Sequence, residues 1–326
     1  MRLLKLVPDN TNFKFLRWRN LAMGISIALI LGSIALVAFR GLNFGVDFAG
    51  GLMMEMRFEK PVSLDELRNT VNSANAGDAS LQTFGAANTV SLRLPLPPGD
   101  EEAVQLVVKR VQAAIKINHS DADFRRVETV SGKVSGELVR DGALAILFAM
   151  IGISLYIWFR FEWQFGVGAL FALVHDVALT LGFFAITQLE FNLNIVAAVL
   201  TIIGYSLNDT IVVYDRIREN LRKYRKMDIE AVLDLSVNET LSRTMVTSLS
   251  MIIALGTLVV FGGEVLFGFS IAMLLGIIIG TYSSVFIAAP ILIWMGVGPH
   301  SFLPTETGPA AGAERQGTAT KAATKA

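Results

Sequence analysis

The chain has 326 residues, 53% hydrophobic and 17% charged, with a mean hydropathy of +0.54. A soluble domain carries about 25% charged residues, so this composition excludes disorder, a collagen-like fibre and a nucleic-acid-binding tail protein, and it argues against a wholly soluble enzyme. The 28 Lys and Arg balance the 28 Asp and Glu, so net charge identifies no partner, and the absence of Cys excludes disulfides, Fe–S clusters and thiolate metal sites.

A helix needs about 20 apolar residues to cross a bilayer. Residues 1–20 form a basic N-terminal segment with Arg2, Lys5, Lys14, Arg17 and Arg19 against the single acid Asp9. The first span, 21–39, is an uncharged run closed by Arg40. At roughly 19 residues it exceeds a signal-peptide core, and it lacks an Ala-x-Ala site, so it reads as a retained anchor.

Residues 40–141 form the one segment large enough for a separate water-exposed domain. Their pattern is strand, helix, strand, strand, helix, strand. The strands are expected at Leu52–Phe58, Leu81–Phe84, Val90–Leu94 and Phe124–Val130. Ser63 and Glu66 form a capping box that opens the first helix. Asp100, Glu101 and Glu102 place negative charge on the first turn of the second, where it complements the macrodipole. Val104, Val107, Val108, Val111 and Ile115 share one side of that helix. This order is the split βαβ arrangement of ferredoxin-like domains. His119 is read as a surface residue.

Five further spans follow, at about 142–159, 164–187, 191–214, 244–263 and 265–294. The fold expected is therefore an α-helical polytopic membrane protein of six transmembrane helices with an inserted α+β ferredoxin-like domain. Residues 215–243 between the fourth and fifth spans carry Arg216, Arg218, Arg222, Lys223, Arg225 and Lys226 and read as an amphipathic segment lying at the membrane surface. Residues 297–326 read as a disordered tail. Basic residues favour the cytoplasmic side. Both ends and residues 215–243 are thus expected inside, the domain and the short connections at Glu190 and Glu264 outside, and the alternation of six spans closes without conflict.

Ionisable groups inside a span are costly and are functional candidates by default. Asp176 lies midway along its span beside His175. Adjacent helix positions do not face each other, so a proton relay and a structural helix-locking contact both stand as readings. Asp209, in the run Asn208-Asp209-Thr210, lies late in the fourth span. Its neighbours offer hydrogen bonds, and a helix-end acid is the alternative. Arg243 opens the fifth span, which starts at the same face where the fourth ends. A carboxylate that trades a proton for an ion pair with an always-charged guanidinium is a two-state switch. In the last span Gly268, Ala272, Gly276, Gly280, Ser284 and Ala288 recur every four residues, a small-residue ridge for close helix packing. Nothing has the order or spacing of a nucleophilic triad, phosphate loop or metal site, so no enzymatic activity and no metal are expected.

The stretch Gly41–Gly51 (GLNFGVDFAGG) directly after a first span resembles the signature that opens the outer domain in the SecD/SecF family. Phe159–Trp163 (FRFEW), His175–Val177 (HDV), Gly204–Asn220 (GYSLNDTIVVYDRIREN) and Leu241–Ser248 (LSRTMVTS) are similar in order and spacing to its SecF branch, over about residues 10–298. Ala49 stands where many members have Thr. The resemblance implies a subunit of the bacterial inner membrane related to half of an RND transporter. It implies pairing with SecD, association with the SecYEG channel and YajC, and indirect work with SecA. It also implies use of the proton-motive force, with protons as coupling ion and no cofactor, to assist late export of preproteins. Asp209 and Arg243 match the family's proton-pathway positions, with the Asp deeper in the bilayer than hydropathy suggests. Asp176, His175, Asn208 and Thr210 would give polar support. Membrane lipids are the remaining partner expected, and no nucleic acid is. The alternatives are an RND-type proton-coupled exporter of lipids or small molecules, against which a single domain of about 95 residues counts, and a scaffold in which Asp209 and Arg243 only pack.

Overall fold

A computed structural model of the chain describes residues 11–298 except 75, 78, 84, 85 and 100. The expectations for Phe84, Asp100, the first ten residues and the tail beyond 298 lie outside the described residues. Six helices are long and apolar enough to cross a membrane, and the molecule is a multi-pass membrane protein. A 3-10 turn, Phe15–Trp18, leads into α1 (Arg19–Arg40), and a single turn α2 (Val46–Ala49) follows. The inserted domain then runs β1 (Gly51–Arg57), α3 (Leu64–Ser73), β2 (Ser80–Thr83), β3 (Thr89–Leu94), α4 (Glu101–Asn118) and β4 (Asp123–Val130). The bundle continues with α5 (Gly132–Arg160), α6 (Trp163–Thr187), α7 (Leu193–Lys223), α8 (Ile229–Phe261), α9 (Gly263–Ser283), a π-helical turn (Ser284–Ala288) and α10 (Ala289–Trp294).

The four strands form one antiparallel sheet in the order β2-β3-β1-β4. Placing β1 between β3 and β4 is what the split βαβ order produces: α3 carries the chain one strand beyond β1, β3 turns back into the gap, and α4 returns β4 to the other side of β1. One face of the sheet is apolar: Leu52, Met54 and Met56 of β1 meet Leu67 and Val71 of α3 and Val111 and Ile115 of α4, all fully buried. Ser63 accepts a hydrogen bond from the Glu66 amide at 3.5 Å, capping α3. Gly51 opens β1 at φ +117°, and a Cβ there would stand 2.7 Å from the Leu94 carbonyl. Only glycine combines that left-handed backbone with that approach. His119 is half-buried rather than on the open surface, its ring edge-on to Phe58 at 5.4 Å.

Several helices outrun their apolar stretches. α5 begins ten residues before 142, and α7 continues to Lys223. The amphipathic segment expected over 215–243 is therefore not an element of its own. It is the end of α7 and the start of α8, joined at Tyr224–Asp228 and packed as an antiparallel hairpin. Ile217 and Leu221 bury against Val232, Leu233 and Val237. Asn220 donates to Ser236 at 3.0 Å and to Glu239 at 2.6 Å, and Arg216 donates to Glu239 at 2.7 Å. A hydropathy window stops at the first charges, whereas the backbone hydrogen bonds continue wherever a second helix buries the apolar stripe. The N-terminal segment docks on this hairpin: Asn238 donates to the Phe13 carbonyl at 2.8 Å and accepts from its amide at 2.9 Å, and Asp234 accepts from the Leu16 amide at 3.0 Å.

At the other end of the bundle, the domain is clamped to the α6–α7 connection. Gly45 and Phe191 exchange backbone hydrogen bonds with that connection and the post-α1 segment, Gly45 to the Phe191 carbonyl and Phe191 to the Asn43 carbonyl, each at 2.8 Å. Arg93 of β3 pairs with Glu190 at 2.9 Å and donates to the Phe44 carbonyl at 2.5 Å. Asp47 accepts from the Leu193 amide at 2.9 Å, which places a carboxylate at the N-terminus of α7 where its dipole favours one.

Candidate functional site

The small-residue ridge of α9 decides which side chains meet in the bundle. Its partner is α7 of the same chain. A Cβ on Gly276 would lie 2.4 Å from Ile202, and one on Gly280 would lie 2.9 Å from Ser206. Gly268 faces Ile195, and Ala272 is fully buried. Close approach along this seam brings the hydroxyls at the end of α9 to the polar face of α7.

Two carboxylates sit on that seam. Asp209 stands 16 residues into the 31-residue α7, half-buried, so it is a mid-helix residue rather than a helix-end acid. Its Oδ1 accepts from Thr244 of α8 at 2.5 Å and its Oδ2 from Ser284 at 2.6 Å. Three elements thus converge on one carboxylate. Ser284 is the first residue of the π-helical turn, and Pro290 follows six residues later with no amide hydrogen to give back to the preceding turn. π turns mark places where the regular ladder yields to another demand. Within this turn the carbonyl of Ala288 accepts from the fully buried Tyr214 hydroxyl at 3.1 Å.

Arg243 is not paired with Asp209 in this structure. It is exposed and forms no ion pair with a described residue, while the next residue, Thr244, points inward. Successive helix positions diverge by about 100°, and α8 is rotated so that the hydroxyl rather than the guanidinium faces the acid. The expectation that Asn208 and Thr210 hydrogen-bond the carboxylate is corrected for the same reason. Asn208 is exposed, and Thr210 donates to the Ser206 carbonyl at 3.2 Å. The acid's donors are two hydroxyls from other helices, one of which the sequence assigned only to packing.

Asp176 and His175 are both fully buried and bonded to each other, His175 Nδ1 to Asp176 Oδ1 at 2.9 Å. Adjacent positions on a helix do not usually meet. Here Nδ1, the ring nitrogen nearest the backbone, turns to its neighbour's carboxylate. Oδ2 of Asp176 accepts from Ser206 of α7 at 2.5 Å and from Ser283 of α9 at 2.9 Å. Asp176 and Asp209 are therefore held by consecutive residues, Ser283 and Ser284. Among the described residues no group of three His, Asp or Glu converges as a metal site.

The model of the C-terminal region of the protein export membrane proteins SecD/SecF matches residues 110–298, and the SecD/SecF GG motif matches residues 35–62. The protein translocase subunit SecF of Rickettsia felis is 44% identical over 290 residues, 89% of this chain and 94% of that protein. Its counterpart in Rickettsia prowazekii is 43% identical over 290 residues, 89% and 93% of the two chains. Among solved structures, SecDF of Thermus thermophilus, described as a translocon-associated membrane protein, superposes with a TM-score of 0.80 at 32% identity, covering 90% of this chain. A SecDF described as a super-membrane-facing form superposes with a TM-score of 0.65 at 33% identity, covering 88% of this chain. The chain spans 40% and 39% of those two SecDF chains.

Proposed function

The chain belongs to the SecD/SecF family of protein export membrane proteins, and from that premise we propose that it works with a SecD protein, in a bacterial inner membrane, to couple the proton-motive force to late export of preproteins. The observation that carries the reading is a carboxylate in mid-helix tied, among the described residues, by hydroxyls. Asp209 receives one hydroxyl from α8 and one from the π turn. A carboxylate accepts only, whereas a protonated acid must also donate one hydrogen bond. Gaining H⁺ therefore forces Thr244 or Ser284 to reorient, and the tie between three helices changes. Arg243 begins one residue from Thr244. A modest rotation of α8, with the reach of a long side chain, exchanges hydroxyl for guanidinium and gives the deprotonated acid a second stable partner.

The energy suffices for a switch. Moving one charge through 100 mV yields about 2.3 kcal/mol, a bias of tens-fold on a conformational equilibrium. The domain is the natural receiver of that bias, because Asp47 and the Arg93–Glu190 pair tie it to the start of α7, the helix that carries Asp209. The remaining 60% of the SecDF length is the place for SecD. The SecYEG channel, YajC, SecA and the translocating preprotein complete the assembly in this reading, with both chain ends cytoplasmic and the domain in the periplasm.

The test uses inverted membrane vesicles containing the full chain, SecD and the channel. Asp209→Asn is expected to abolish the response of the late translocation step to an imposed proton gradient while the complex still co-purifies. An undiminished response overturns the proposal. Lipid accumulation in cells carrying the variant, with export intact, identifies an exporter instead.

A further inference from the structure

We propose that His175 and Asp176 form a second proton-binding site, linked to Asp209 through the two helices whose serine hydroxyls hold both acids. The inference rests on the proton-coupled reading and names a further group that takes part in it. Four observations carry it. The pair is wholly buried, at 0% exposure for both side chains. Among the described residues no Lys or Arg lies within ion-pair distance of Asp176. The other imidazole nitrogen, Nε2, is buried and has no hydrogen-bond partner among the described residues. Asp176 and Asp209 share one scaffold: Ser206 binds Asp176 and lies three residues, about 4.5 Å of helix rise, before Asp209, while Ser283 and Ser284 bind one acid each.

In the tautomer that donates from Nδ1 to Asp176, the Nε2 lone pair is open. Uptake of H⁺ there forms one N–H bond and breaks none, and it turns a pair of charge −1 into a neutral one. An anion inside a span is costly even when hydrogen-bonded, and no Lys or Arg among the described residues offsets this one, so the pair has a use for a proton that a purely packing contact lacks. The titratable groups around it are few. α6 supplies only the pair itself. α7 brings Asp209 one turn away, and α9 brings Tyr282, whose ring lies against the imidazole at 6.0 Å and whose hydroxyl donates to the Ala22 carbonyl. α1 contributes the buried hydroxyls of Ser26 and Ser33, while Arg19 and Arg160 stand at the helix ends of α1 and α5. Linkage between sites is reciprocal. Ser283 and Ser284 are consecutive, and Ser206 lies on the same helix as Asp209, so a shift of either backbone on protonation of one site alters proton affinity at the other.

The experiment is a pH titration of full-length protein with SecD in lipid bilayers, labelled with ¹⁵N-histidine and read by solid-state NMR. His119→Gln and His300→Gln remove the other two imidazoles of the chain. His175 is expected to change protonation state across the titration, and Asp209→Asn is expected to shift the midpoint of that change by roughly tenfold in proton concentration, within the usual range of coupling between sites. Ser206→Ala, which leaves both acids in place, is expected to reduce that dependence on Asp209. A His175 locked in one state throughout, or a midpoint indifferent to Asp209→Asn, overturns the inference. Because the readout is titration and not transport, a titrating His175 in a protein whose Asp209→Asn variant transports normally sinks the proton-driven reading and leaves the second site standing.

Discussion

The inserted domain and the helix bundle solve opposite problems with the same chain. The domain hides carbon: Leu52, Met54, Met56, Leu92 and Ile115 are fully buried, and its charges, Glu55 excepted, are at least partly exposed. The bundle does the reverse along its seam. Phe39 is 92% exposed and Phe159 93%, while Asp176, His175, Ser270 and Ser283 are fully buried. Water drives the first arrangement. In lipid no such drive exists between helices, because the tails are as apolar as the side chains, and association relies on close packing and interhelical hydrogen bonds. The polar groups that glue the bundle are therefore the groups available for proton chemistry. In the domain, stability and function separate, whereas in the bundle they occupy the same few atoms.

The widest separation between the two regions is expected from volume changes. Gly276→Leu places a branched side chain where even a Cβ meets Ile202 at 2.4 Å, so α7 and α9 cannot approach. Full-length protein extracted in mild detergent should then be lost from the monodisperse peak in size-exclusion chromatography. Leu52→Ala, a cavity in the fully buried domain core, is expected to cost about 2–5 kcal/mol. It should expose the domain to protease in full-length protein while the bundle remains intact. Equal damage to the bundle from both would show that the two regions are one cooperative unit. The smallest effect lies at the hairpin end. Asn238→Ala removes both hydrogen bonds to Phe13, worth about 1 kcal/mol each, and should raise hydrogen exchange at residues 13–16 without changing that of the domain.

What the sequence made readable follows the same division. Span number and the βαββαβ order come from apolar run length and from periodicity, which are local properties. Helix ends did not come through, because α7 and α8 continue past the apolar runs as a charged hairpin whose packing depends on the pairing of Ile217 and Leu221 with Val232 and Leu233. Asp176 and Asp209 announce themselves as charges in apolar surroundings. Their partners do not. Serine and threonine are ordinary in such helices, and only the rotation of α8 decides whether Thr244 or Arg243 faces the acid. Ser284 was visible as a small residue in a ridge, and that ridge is what delivers its hydroxyl. The clamp of Arg93 on Glu190 joins residues 97 positions apart and has no local signal at all.

The central claim is that Asp209 works by gaining and losing a proton and not by shape alone. The direct measurement compares Asp209→Glu with Asp209→Asn in inverted vesicles, scoring release of a half-exported preprotein with and without an imposed proton gradient. Glu keeps the titratable carboxyl and strains the Thr244 and Ser284 contacts by one methylene, whereas Asn keeps the shape and cannot ionise. The account predicts a reduced but gradient-dependent release with Glu and none with Asn. Gradient-dependent release that survives in the Asn variant would contradict it.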